Sequence, residues 1–156
     1  MRSSTDMAED RDDLLRHFRE SRQRLLAAID GLTDEQMSET TIDGWAVKDH
    51  LAHLALWDDL RAAEVERIAA GHESAWRMTD EQDDAYNATG YETRRSMSPA
   101  QARWEVETSR RKLLDAIASA PPEALDTSRY GSASLRSDHE NQHAGWLQRW
   151  RDEKSF

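Results

Sequence analysis

The stretch Gly44-Trp45-Ala46-Val47-Lys48-Asp49-His50-Leu51-Ala52-His53-Leu54-Ala55-Leu56-Trp57 decides the fold. Val47, Leu51, Leu54 and Trp57 recur at three- and four-residue spacings, and Val65 and Ile68 extend the stripe. That period belongs to a helix with one buried face. It begins near Trp45 and is expected to end at Gly71, a glycine placed for a left-handed cap.

On the N-terminal side, a helix is expected from about Ala8 to Asp30, with Leu14, Leu15, Phe18, Leu25, Leu26 and Ile29 as its stripe and Gly31 as its end. Thr33 with Gln36 reads as a capping box on a short turn. On the other side, residues 72–97 are mixed: Asp80 to Tyr86 could be helical, but Thr89-Gly90 argues for a break. Ser98 as N-cap, Pro99 in the first turn and Gln101 completing a capping box start a third long helix. It carries Trp104, Leu113, Leu114 and Ile117, and Pro121-Pro122 stops it. A last helix is expected from about Ser134 to Asp152, with Leu135, His139, Gln142, His143, Trp146 and Trp150 on one face. No segment alternates apolar and polar residues for long, so the reading is all-α: a four-helix bundle with a long crossover between its second and third long helices. Residues 1–156 are read as one domain, with 1–7 a flexible N-terminus.

The chain has 156 residues, with 31 acidic and 21 basic side chains and a net charge of −10. That balance repels phosphate backbones and anionic lipid heads, so nucleic acid and membrane are not expected as partners. Cysteine is absent, which excludes disulfides, thiolate zinc sites and a cysteine nucleophile. No apolar run approaches the length of a membrane span, and a cytoplasmic protein is the expectation.

Chemistry is carried by histidine. The six are His17, His50, His53, His72, His139 and His143. His139 and His143 are spaced i, i+4, so both imidazoles leave the last helix on one side and could ligate one ion. Six histidines would give such a pair by chance roughly one time in five or six, so the spacing alone does not decide. Its place on the stripe of Leu135, Trp146 and Trp150 strengthens it, because buried neighbouring imidazoles need a metal or hydrogen bonds. The second helix offers a third ligand. A helical wheel chooses His50, in the middle of the stripe, and puts His53 on its flank.

Residues 44–57 resemble the second-helix signature of DinB/YfiT-like four-helix-bundle proteins, in which a metal-binding His follows a Trp by eight residues. Eight after Trp45 is His53. The last-helix H-x-x-x-H of that family is matched by His139-Glu140-Asn141-Gln142-His143. Trp57, Trp150 and the stretch Asp83-Asp84-Ala85-Tyr86-Asn87 followed by Ser98-Pro99 are most similar to the ClbS/DfsB-like branch. There are departures: Ala46 stands where relatives commonly have a Ser or Thr N-cap, and Gln142 where many have Glu.

The resemblance implies a divalent metal (zinc, nickel or iron) on His53, His139 and His143, with positions open to water. Three neutral imidazoles and an open position are the donor set of catalytic zinc. It further implies a metal-dependent transferase or hydrolase acting on a small electrophile, with a low-molecular-weight thiol as a candidate co-substrate and a homodimer as a candidate assembly. The alternative is a non-catalytic module that binds or sequesters a small molecule. Of the acidic residues on the second helix, Asp49, Asp58, Asp59 and Glu64 could orient an imidazole or act as a base, but a solvated acidic face is the simpler reading. Trp57, Trp146 and Trp150 read as core before pocket wall. His17 and His72 read as surface residues, and Tyr86 and Asn87 as crossover residues that could approach the site.

Overall fold

The computed structural model describes residues 8–41 and 43–156; the expectation for residues 1–7 lies outside them. Six α-helices account for most of the described chain: α1 (Arg11–Ile29), α2 (Asp34–Met37), α3 (Val47–Ala69), α4 (Asp80–Arg94), α5 (Pro99–Ser119) and α6 (His139–Lys154). Among the described residues there is no strand beyond two isolated bridges, Ala8 with Asp126 and Thr40 with Ala46. The longest helix, α3, spans about 35 Å at 1.5 Å per residue.

The four long helices form a ring. Helix α3 packs most extensively on α5 and α1 on α6, and contacts of α1 with α5 and of α3 with α6 close it. Two hydrophobic clusters fill the interior. One holds Leu25, Ala28 and Ile29 of α1, Val47, Leu51 and Leu54 of α3, Ala102 and Val106 of α5, and Ala144, Leu147 and Trp150 of α6. The other holds Leu14 and Phe18 of α1, Val65 and Ile68 of α3, and Leu113 and Ile117 of α5. Helices α3 and α5 therefore run from the first cluster to the second, while α1 and α6 run the opposite way. Parallel neighbours cannot be joined by a tight turn, so the link from α3 to α5 has to travel back along the bundle. Helix α4 makes that return journey.

Between the clusters lies a charged layer. Each bundle helix contributes a polar residue where its stripe passes the middle: Ser21 and Arg22, Asp58 and Arg61, Ser109 and Arg110, and Glu140, all buried. Arg22 donates to Glu140 at 2.9 Å, Arg110 meets Glu140 at 2.8 Å, and Arg61 and Arg110 both donate to Asp58. Burial on this scale is tolerated because every charge has partners of opposite sign.

Helix ends follow from local chemistry, with several departures from expectation. Thr33 and Gln36 make both bonds of a capping box. At Ser98 only half of the expected box forms: its hydroxyl accepts the Gln101 N–H at 3.1 Å, but the Gln101 amide turns to Glu105 instead. Gly71, at φ +91°, takes the left-handed conformation that ends α3. Helix α4 does not break at Thr89-Gly90. Thr79 and Gln82 cap it on both sides of the box, and Gly90 is a point of close approach, since a Cβ there would lie 2.7 Å from Leu56 Cδ2. Helix α6 starts at His139 rather than near Ser134, with the His139 N–H held by Ser137 Oγ at 3.1 Å. Trp104, named among the apolar residues of α5, is 60% exposed, while Ala102 and Val106 on either side of it are buried.

Candidate metal centre

Helix α3 supplies His53 and the first two turns of α6 supply His139 and His143. One ring nitrogen from each lies within 4.8 Å of the others. His139 Nε2 is 2.9 Å from His53 Nε2 and 3.1 Å from His143 Nε2. His53 and His143 are buried and His139 is partly exposed.

The donor set fits a cation. A neutral imidazole nitrogen carries either a proton or a lone pair, and no placement of protons gives each of three converging nitrogens a good partner. A metal ion uses all three lone pairs. Nitrogens about 2.0–2.1 Å from one tetrahedral zinc lie about 3.3 Å apart, close to the two separations from His139 Nε2.

Electrostatics keep the rings neutral, the form a metal requires. Burial pushes the His53 pKa down to about 3, with His139 beside it adding to the effect. Burial and then the Arg61 guanidinium bring His139 to about 4. His139 is also the first residue of α6, where the positive end of the helix dipole opposes an imidazolium. His143 is pushed well below its ordinary value by burial, then by the other three rings.

His50, which the wheel favoured, is fully buried, yet it stands behind the triad rather than in it. Its Nδ1 lies 2.7 Å from His143 Nδ1, and its Nε2 faces Asp43 Oδ1 and Thr41 Oγ1, each at 3.2 Å. The flank position of His53 is the one that aims at α6.

Aromatic rings pack around the triad. Trp45 packs edge-on against His53 at 5.1 Å and stacks parallel on Tyr91 of α4 at 5.2 Å. Trp57 lies 6.4 Å from His139 and touches Trp76 and Tyr86, and its Nε1–H donates to Asn87 at 2.6 Å. Trp146 sits 4.8 Å from His143 and is 39% exposed. Trp57 is core, packed beside His139, and Trp150 is core, against Phe156.

Of the four acidic residues of α3 read as a solvated face, Asp59 is partly exposed beside Lys112, but Asp49, Asp58 and Glu64 are buried. Asp58 belongs to the charged layer. Glu64 accepts the Ala75 N–H at 2.9 Å and the Ser74 hydroxyl, tying down the start of the crossover. Asp49 accepts the Ala46 N–H at 2.9 Å and so supplies the half of an N-terminal box that Ala46 cannot. Gln142 is exposed, and the buried acidic residue beside the triad is Glu140. His17 is not a surface residue either: its ring bonds the Ser137 carbonyl at 2.6 Å and packs on Phe18. His72 is exposed as expected. Tyr91, Trp76 and Asp43 were not legible as site residues. The glycine read as a break hid Tyr91, and short loops carried the other two.

A family model described as the DinB superfamily matches residues 17–150. Among solved structures, a crystal structure titled as an uncharacterised protein from Escherichia coli UTI89 superposes with a TM-score of 0.77, at 16% identity, over 94% of this chain and 95% of that one. At that identity the likeness shows the fold alone. No curated protein matches the chain. Among the described residues no helix is long and apolar enough to cross a membrane.

Proposed function

The chain belongs to the DinB superfamily, and from that membership we propose a metal-dependent hydrolase or transferase that acts on a small electrophilic molecule. His53, His139 and His143 are the proposed ligands of one divalent ion. The observation that carries the reading is the convergence of three ring nitrogens from α3 and α6 on one point. A cation there supplies a Lewis acid that polarises a substrate carbonyl or sulfur and eases deprotonation of a nucleophile. Zinc, nickel and iron(II) all suit imidazole donors.

The chain's own residues do the rest. Trp45, Trp57, Tyr86, Tyr91 and Trp146 offer flat apolar surface for the organic body of a substrate. Of the three rings, His139 alone is partly exposed, and Trp57 packs beside it. The net charge of −10 disfavours anionic substrates. Within the superfamily, Trp57, Trp150 and the Asp83–Asn87 stretch support a place near the ClbS/DfsB-like branch, with disposal of a reactive molecule as the role.

Elemental analysis of protein purified without a His tag tests the reading first. Near-stoichiometric metal, lost in His139→Ala/His143→Ala, is expected. A panel of small electrophiles, each with and without a low-molecular-weight thiol, then separates hydrolase from transferase. Protein that is metal-free and whose melting temperature ignores added zinc or nickel would instead be a binding module.

A further inference from the structure

His50 is the most deeply buried of the histidines, yet the proposed ligand set does not use it. Both of its ring nitrogens are engaged: Nδ1 with His143 Nδ1 at 2.7 Å, and Nε2 with Asp43 Oδ1 and Thr41 Oγ1 at 3.2 Å each. A fourth-ligand role is therefore closed to it without breaking one of those contacts.

The protons in this chain can be assigned by counting. If His143 turns Nε2 to a cation, that nitrogen is bare and the one proton of the neutral ring sits on Nδ1. This Nδ1–H points at His50 Nδ1, which must then be the bare nitrogen of its own ring. The His50 proton is left on Nε2, where it meets the Asp43 carboxylate and the Thr41 hydroxyl oxygen. The Thr41 hydroxyl has two acceptors for its one proton, the Trp45 carbonyl at 2.6 Å and Asp43 Oδ1 at 2.9 Å, and whichever takes it, the oxygen keeps a lone pair for the His50 Nε2–H. Asp43 is fixed in turn by the Trp45 N–H at 3.1 Å. Every donor has an acceptor. The reverse order fails twice: it would set a bare His50 Nε2 against a carboxylate, and it would leave His143 protonated on the nitrogen that faces His139.

We propose that His50 is a positioning residue for the metal centre: it accepts the His143 Nδ1–H, is itself oriented by Asp43 and Thr41, and so fixes which nitrogen His143 presents. The proposal rests on the reading of His53, His139 and His143 as ligands. Carboxylates and backbone carbonyls are the usual partners behind a ligating histidine; here an imidazole backed by a carboxylate takes that place. The loop that precedes α3 thereby becomes part of the site, because Thr41, Asp43 and Trp45 hold His50 before the helix has begun.

The test is zinc and nickel affinity by chelator competition in wild type, His50→Leu and His50→Asn, with helical circular dichroism on each. Asn can place its amide oxygen close to the position of His50 Nδ1, whereas Leu offers no acceptor. His50→Leu is expected to weaken binding about 10- to 100-fold, as loss of such a partner typically does, and His50→Asn to recover most of it. Should His50→Leu not fold, long-range proton–nitrogen NMR of zinc-loaded wild type decides: the proton is expected on Nδ1 of His143 and on Nε2 of His50. Wild type that binds metal while His50→Leu binds equally well, or a His50 protonated at Nδ1, overturns the proposal alone. Wild type that binds no metal overturns the ligand reading and this proposal with it.

Discussion

Asp58 of α3 receives the guanidinium of Arg110 of α5 through both carboxylate oxygens, Nε to Oδ2 at 2.8 Å and Nη2 to Oδ1 at 3.2 Å. The same carboxylate takes Arg61 Nη1 at 3.2 Å and lies 3.6 Å from Arg22 Nη2. It is the junction of the layer that separates the two hydrophobic clusters. Glu140, the second carboxylate of that layer, follows His139 directly, so the layer and the triad share the start of α6.

Replacing Asp58 with Asn is expected to lower stability by about 3–5 kcal/mol, because three buried guanidiniums then share one carboxylate. Urea unfolding measures it. Lys112→Gln removes only the 3.6 Å contact of an exposed Lys112 with Asp59 and should stay within about 0.5 kcal/mol. Equal effects of the two substitutions would mean the layer is no more than a surface ion pair in energy.

Ala46→Ser should stabilise the chain by about 1 kcal/mol. Ala46 already has the extended conformation of an N-cap, φ −76° and ψ 163°, and Asp49 already bonds its N–H. A hydroxyl there would complete the box. A melting temperature that does not rise would show that the Asp49 N–H is adequately served by its 3.0 Å bond to the Ala46 carbonyl.

Local chemistry was legible and cross-helix chemistry was not. Gly31 and Gly71 end their helices because a positive φ favours glycine, and Ser98 caps α5 because of its own hydroxyl; each signal lies within a few residues. Asp58 reads as solvated in sequence because Arg22 and Arg110, two of its three partners, are on other helices. A sign was present all the same: Val47, Leu51, Leu54, Asp58, Arg61, Val65 and Ile68 keep one register of threes and fours, so Asp58 and Arg61 stand where apolar residues belong. The wheel placed His50 correctly in the interior. It could not tell interior from ligand, which depends on where α6 lies.

Gly131→Ala is expected to cost about 1–3 kcal/mol, the range for forcing atoms into a packed site. A Cβ at Gly131 would lie 2.3 Å from the Trp76 carbonyl oxygen, and that carbonyl accepts the Ser132 N–H at 2.7 Å. The contact ties the loop before α6 to the loop carrying Trp76. Gly145→Ala is the contrasting case: nothing lies within 4 Å of its Cβ, and in the middle of α6 it should gain about 0.5–1 kcal/mol. Thermal melts of both variants check the pair, and a neutral Gly131→Ala would show that the two loops move apart without penalty.

The metal-free chain should lose stability as pH falls from about 7 to about 4.5. In the unfolded chain each imidazole takes a proton near pH 6.5; in the folded chain burial holds His53 at about 3 and His139 at about 4. The unfolded state therefore binds more protons across this window. The stability is fully present above the unfolded pKa and drains away below it, by about 1.4 kcal/mol per pH unit for each imidazole kept neutral. Ordinary carboxylates titrate mostly below this range. Urea melts of chelator-treated protein across the window measure the slope, and His53→Gln/His139→Gln should flatten it by the share of two imidazoles. Zinc should raise the midpoint most near neutral pH and least at the acid end, where protons compete for the same lone pairs. A wild-type slope as shallow as that of the double variant would mean that the rings take up protons in the folded chain, and the electrostatic basis for a neutral triad would be gone.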